Sequence, residues 1–360
     1  MAETKKNNLA ISCNNYDHQN DGDIDLITLK NGQIAVSVTN LGCAITAINM
    51  PDRNGSVKNI VAGFTDLANY RHNTHYLGCL IGRYANRIAG AKFRLDQRTI
   101  QLSANEGAGH LHGGFEGFNK KVWNVGAFIR DDNRVGVEFN YLSKDGEEGY
   151  PGNLQVKVTY LLNDRNQLLI KYEAQTDQDT PINLTNHSYF NLTGFETPDI
   201  LGHNLHINAH YYTENQDDLP TGNILPLAGS QLDFFTRKKI GDDPDRFHLQ
   251  NGYNQNYILN QQLPGEMVFA AKLDDPESGR ALSIYTDQPG LQLYTANIWD
   301  GSILGSQGKY YQRYGAVALE TQNFPDSPNH PNFPDSILKP GDQYKTSTLY
   351  QFDIKINNKA

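Results

Sequence analysis

Short runs of alternating polar and apolar residues recur along the chain, separated by turn-forming residues. Residues 26–29 and 33–38 flank Asn31-Gly32 and read as a hairpin with a two-residue turn. Residues 134–142 and 154–162 alternate in the same way; 163–166 is turn-forming and 167–174 runs back as another strand. Residues 281–286 and 291–295, on either side of Gln288-Pro289-Gly290, repeat the pattern, and 316–320 and 346–356 close the series. Strands at this spacing predict an all-β fold, an antiparallel sandwich or barrel. Helical periodicity is scarce, with one short turn expected at 66–70. There is no repeat of fixed period and no linker rich in Pro, Gly or Ser, so 1–360 reads as one domain. The polar stretch 7–20 suggests that residues 1–20 are partly mobile. Residues 214–221 and 325–334 read as long, proline-marked loops of the kind that build sites.

Composition narrows the possible partners. A formal charge of −9, with no long Lys/Arg stripe, argues against nucleic acid and anionic membranes. Twenty tyrosines suit a β protein that offers ring faces to ligands. Cys13, Cys43 and Cys79 are too few and too far apart for a disulfide framework or a zinc motif. With no apolar run behind a polar start, the simplest location is the cytoplasm.

Four stretches could carry chemistry. Thr185-Asn186-His187-Ser188-Tyr189-Phe190-Asn191-Leu192 sets one histidine among amides and aromatic rings. Buried polar groups need partners, so the segment reads as the floor of a polar pocket with a proton-transfer group in it, or as a histidine that only satisfies nearby backbone. Glu320 ends an apolar run ahead of a polar, proline-rich loop; it is either a desolvated base or a strand-end charge in water. Gly82-Arg83-Tyr84-Ala85-Asn86-Arg87-Ile88 brings two arginines that fit either carboxylates and sugar oxygens or a surface ion pair. In Gly109-His110-Leu111-His112-Gly113-Gly114-Phe115-Glu116, an extended backbone would put both histidines on one face. The His-X-His-X3-Glu spacing partly resembles the metal signature of cupins, which would imply iron, manganese or zinc, but no second cupin segment follows. No dinucleotide, phosphate-loop or serine-hydrolase signature is present.

Taken in order, these stretches, with Asp145-Gly146-Glu147-Glu148-Gly149-Tyr150-Pro151-Gly152, resemble the galactose mutarotase (aldose 1-epimerase) family from about residue 40 to the end. The resemblance implies a large antiparallel β-sandwich, the galactose mutarotase-like supersandwich. It implies His187 as general acid and Glu320 as general base. It also implies that Arg87, His112 and Gln292 hold the sugar, with Asn86 beside them. Family members commonly carry an aspartate in a Gly-aromatic-Asp-His segment; here the segment is Gly252-Tyr253-Asn254-Gln255, so Asn254 offers a weaker, neutral acceptor. On that basis Asn254→Asp is expected to lower KM.

The implied reaction opens and recloses an aldose ring, which needs an acid and a base but no metal, cofactor or covalent intermediate. The expected partner is a small-molecule aldose, acting on a monomer or weak dimer, with His187 kept charged by nearby carboxylates. Competing readings are a non-catalytic sugar-binding protein and a hexose-6-phosphate 1-epimerase, which would want a basic cluster at the pocket mouth. A glycoside hydrolase would want a second carboxylate across the bond.

Overall fold

The computed structural model describes residues 8–19, 22–248 and 251–355. All pairings between its named strands are antiparallel. A nine-stranded sheet runs in the order Asn124–Arg130, Arg134–Ser143, Leu154–Asn163, Gln167–Thr176, Tyr344–Ile354, Arg280–Thr286, Val268–Asp274, Asn204–Ile207, Lys238–Lys239. A six-stranded sheet runs Tyr189–Phe190, Val317–Gln322, Gly290–Tyr294, Asn254–Leu259, Ala209–Gln216, Leu219–Pro226. Leu291, Leu293, Val317 and Leu319 of the smaller sheet share one apolar core with Ile170, Ile284 and Tyr350 of the larger. Side chains alternate across a strand, so the other face of the smaller sheet carries Gln292 and Glu320, paired in register. This two-faced sheet is the sandwich expected from the sequence, and its polar face is where a site can form.

Several elements differ from the expectations. Residues 31–34 form a four-residue loop, since Lys30 pairs with Ala35. The Asn31 side chain accepts from the Gln33 and Ile34 N–H groups and donates to Asn163 and Asn166, which widens the turn. Residues 281–286 and 291–295 are not a hairpin: Arg280–Thr286 and Gly290–Tyr294 lie in different sheets. The connection between them is pinned where Asp287 accepts from the N–H and hydroxyl of Ser347. Within 1–20, where mobility is expected, Ala10–Gln19 is an edge strand of a five-stranded sheet, and residues 1–7 and 20 lie outside the described ones. Residue 356 of the last expected strand also lies outside them, and the strand itself is Tyr344–Ile354. The turn at 66–70 is a 3-10 helix, Leu67–His72, capped by Asp66.

The loop expected at 214–221 is a tight hairpin instead. Gln216 pairs with Leu219, leaving a two-residue turn at Asp217-Asp218 with φ of 51° and 62°. Both central residues left-handed is the type I′ geometry, which matches strand twist. Pro220 is tolerated because Leu219–Pro226 is an edge strand. The 325–334 segment is a loop, as expected, and clamps the arginine stretch: Asp326 N–H donates to Arg87 O, its carboxylate accepts from Ala89 N–H, and Tyr84 donates to Phe324 O.

Candidate active site

Glu320 and Gln292 sit opposite each other on neighbouring strands, with Asn256 next to Gln292 in register. Gln292 Nε2 donates to Asn254 Oδ1 at 2.7 Å. His187 lies at the bend between two very short strands. Its N–H donates to Cys79 O at 2.8 Å, and Asn186 locks the bend by donating to Gly78 O and accepting from Ser188. The amides around His187 therefore fix the backbone, while the imidazole is left for the cavity. Tyr189 lies 4.7 Å from the His187 ring and packs, tilted, against Trp299 at 4.9 Å. Tyr76 covers the opposite side, 6.0 Å from His187 and 4.6 Å from His112.

His112 and the residues around it show how backbone aims a side chain. His112, Gly113 and Gly114 have φ of 51°, 87° and 102°. A Cβ on Gly113 would stand 1.8 Å from Gly82 O, so this approach requires glycine. Asn86 N–H donates to His112 Nδ1 at 3.2 Å. Burial drives the His112 pKa well below its ordinary value, with His187 and Arg87 adding to the effect. A neutral ring whose Nδ1 accepts carries its proton on Nε2, so His112 offers a donor to a ligand.

The cupin-like reading fails on geometry. The strand holds only His110 and Leu111, and the left-handed His112 breaks the extended face. His110 turns to Tyr150 and Ser103, and Glu116 sits out by Lys120. His112, His187 and Glu320 instead present ligand atoms all within 4.8 Å of one another, and a metal ion could sit there.

His187, Glu320, Arg87, His112, Asn254, Gln292 and Asn86 all line one cavity of about 440 Å³, a size typical of small-molecule sites. Arg83 does not: it is buried away from the cavity, bonded to Ser143, Thr180 and the carbonyls of Pro151 and Gly152. Arg87 combines both readings of the arginine stretch, lining the cavity while forming a bidentate pair with Glu106 at 2.7 Å. Grooves of about 930 and 520 Å³ elsewhere contain no histidine, so volume does not mark the chemistry. Tyr76, Glu106 and Asp218 also line the cavity and were not singled out as residues, although Asp218 falls in 214–221, a stretch expected to build a site.

His187 Nε2 lies 3.5 Å from Glu320 Oε1, and both side chains are buried. Burial lowers the His187 pKa to about 4 and raises that of Glu320 to about 8, against a smaller lowering from Arg87. The expectation that carboxylates keep His187 charged is thus overturned, because desolvation dominates. Burial thus favours the neutral form of both groups in the free site, an imidazole beside a carboxylic acid. His187 Nδ1, Glu320 Oε2 and Gln292 Oε1 are buried without a protein partner, so polar groups of the site are left unsatisfied by the protein itself.

A two-faced β-sandwich with a buried imidazole–carboxyl pair beside side-chain amides in one cavity is an arrangement able to exchange protons with a small polar molecule. Residues 25–351 match the family described as aldose 1-epimerase. A galactose mutarotase of Sus scrofa is 40% identical over 92% of this chain and 95% of its own length. An aldose 1-epimerase of Escherichia coli (strain K12) is 36% identical over 91% and 94%. The crystal structure of a galactose 1-epimerase from Lactobacillus acidophilus NCFM superposes with a TM-score of 0.83 at 28% identity, covering 96% of this chain and 99% of that one. The chain belongs to the aldose 1-epimerase family, whose members are isomerases.

Proposed function

We propose that this protein interconverts the α and β anomers of free aldohexoses such as galactose and glucose. The observation that carries this reading is the 3.5 Å approach of His187 Nε2 and Glu320 Oε1 inside a cavity lined by hydrogen-bonding side chains. Anomer exchange needs a proton given to the ring oxygen and one taken from the C1 hydroxyl. The aldehyde then rotates and recloses on its other face.

In this reading His187 gives the proton to the ring oxygen and Glu320 takes the C1 proton. Ring opening therefore starts from imidazolium and carboxylate and ends with neutral imidazole and carboxylic acid. Reclosure reverses both transfers. The neutral pair favoured in the free site is the form that accompanies the open aldehyde, so sugar binding must draw the proton back to His187. Arg87, whose charge favours the Glu320 carboxylate, works in that direction. Arg87, the Nε2–H of His112, Gln292, Asn254 and Asn86 orient the ring, adding the benefit of positioning.

The reading includes an aldose as partner, no bound cofactor, the 360-residue chain acting as one unit, a cytoplasmic location and a monomer or weak dimer. Among the described residues no helix is long and apolar enough to cross a membrane. The hexose-6-phosphate alternative would want basic groups for a phosphate, and Arg87 at the cavity is already engaged by Glu106 and Asp218.

Polarimetry of freshly dissolved α-galactose and α-glucose tests the assignment. His187→Ala and Glu320→Gln should each lower the rate by about 10²–10⁴-fold, the usual contribution of one positioned acid or base. Rates near wild type in either variant would refute it.

A further inference from the structure

Asp218 is a carboxylate at the cavity whose position the type I′ turn fixes. Its Oδ1 accepts from Asn254 Nδ2 at 2.8 Å, and its Oδ2 lies 3.5 Å from Arg87 Nη2. Asn254 is thereby committed on both sides: one amide hydrogen goes to Asp218 and its oxygen takes Gln292 Nε2 at 2.7 Å. The carboxylates lining the cavity are Glu106, Asp218 and Glu320. Glu106 is engaged by both arms of Arg87. A carboxylate can accept about four hydrogen bonds, and Asp218, which lines the cavity, makes one of normal length, so it keeps acceptor capacity.

We propose that Asp218, carried on the 209–226 hairpin, is the charged acceptor for a sugar hydroxyl remote from the anomeric carbon, and that Asn254 serves to hold it there. The proposal rests on the mutarotase reading above. It makes the neutral residue at position 254 intelligible, because the negative charge arrives from the neighbouring hairpin. It also reverses the expectation for Asn254→Asp, which would set two carboxylates against each other where a donor now meets an acceptor.

The test is steady-state mutarotation of galactose and of its 2-, 3-, 4- and 6-deoxy forms by wild type, Asp218→Asn and Asn254→Asp. The Asp218 side chain is 52% exposed, so its replacement by Asn leaves folding intact. Asp218→Asn should raise KM for galactose roughly five- to tenfold, the usual difference between a charged and a neutral hydrogen bond, with kcat little changed. For one deoxy sugar, the one lacking the contacted hydroxyl, the rise should vanish. Asn254→Asp should raise KM in the wild-type background and have a smaller effect when Asp218 is already Asn. An unchanged KM in Asp218→Asn, or an equal rise for every sugar, would overturn the proposal by reducing Asp218 to a support of the turn. A wild type that exchanges no anomers would overturn the mutarotase reading itself, and this proposal with it.

Discussion

In the proposed reaction the chemistry turns on two side chains whose burial moves their pKa values in opposite directions. His187 falls to about 4 and Glu320 rises to about 8, each through desolvation. Between those values the pair holds one proton, which is what an acid–base couple requires. Below about pH 4 His187 gains a second proton while Glu320 is still protonated, and the base is lost. Above about pH 8 Glu320 loses its proton while His187 is neutral, and the acid is lost. The kcat/KM profile, which reports the free enzyme, should therefore be a broad bell with limbs near those two values, belonging to the pair rather than to either residue. His112, whose pKa burial drives well below its ordinary value, should add no limb near the usual histidine range. A single limb near pH 6.5 would mean a solvated histidine acting alone. The His187–Glu320–His112 trio also raises the question of metal. Proton transfer between these groups and the sugar needs none, so protein stripped with a chelator should keep its rate, and zinc ions should inhibit in competition with sugar. A rate lost on stripping and restored by added metal would replace the acid–base account. His187 and Glu320 were legible because each sat in a long motif. Tyr76 and Asp218 were not, because what makes them relevant is proximity across the fold.

At the scale of elements, the sequence pattern revealed several strands with one buried face, such as Arg134–Ser143 and Leu154–Asn163, but not Ile45–Pro51 or Lys92–Leu95, which also bury alternate residues. It failed for Ala10–Gln19, an edge strand whose side chains from Ala10 to Tyr16 are mostly exposed, so no alternation arises. It failed again at Asp217-Asp218, because the glycine that usually marks a type I′ turn is absent. The arginine stretch divides by depth. Arg87 faces the cavity, whereas Arg83, with a relative exposure of 1%, ties the turn around Ser143 and the Pro151-Gly152 carbonyls to Thr180. Arg83→Met removes the donor for all these acceptors at once and should destabilise the protein by about 3–5 kcal/mol, the usual loss when one member of a buried charged network is deleted. Urea denaturation should show the midpoint falling with little change in slope. A shift under about 1 kcal/mol would show that the acceptors find other partners.

Across the whole molecule, one sheet does two jobs. Leu291, Leu293, Val317 and Leu319 join the core shared with the nine-stranded sheet, and Gln292, between the first two, and Glu320, next to Leu319, point the other way. A strand whose alternate residues are apolar and functional is stiff where the chemistry needs stiffness. The remaining site groups come from segments far apart in sequence, bent into place by Asn186, Asp326 and the left-handed run at His112. Alternation could predict the sandwich but not which residues meet in its cavity; the motifs carried that information. The most direct test of the central claim, that His187 and Glu320 work as one proton-exchanging pair, is anomer exchange of galactose followed by NMR at equilibrium in wild type, His187→Ala, Glu320→Gln and the double variant. Residues that act as a unit are strongly non-additive, so the double variant should lose little more than the worse single variant. A double loss equal to the product of the two single losses would contradict the account.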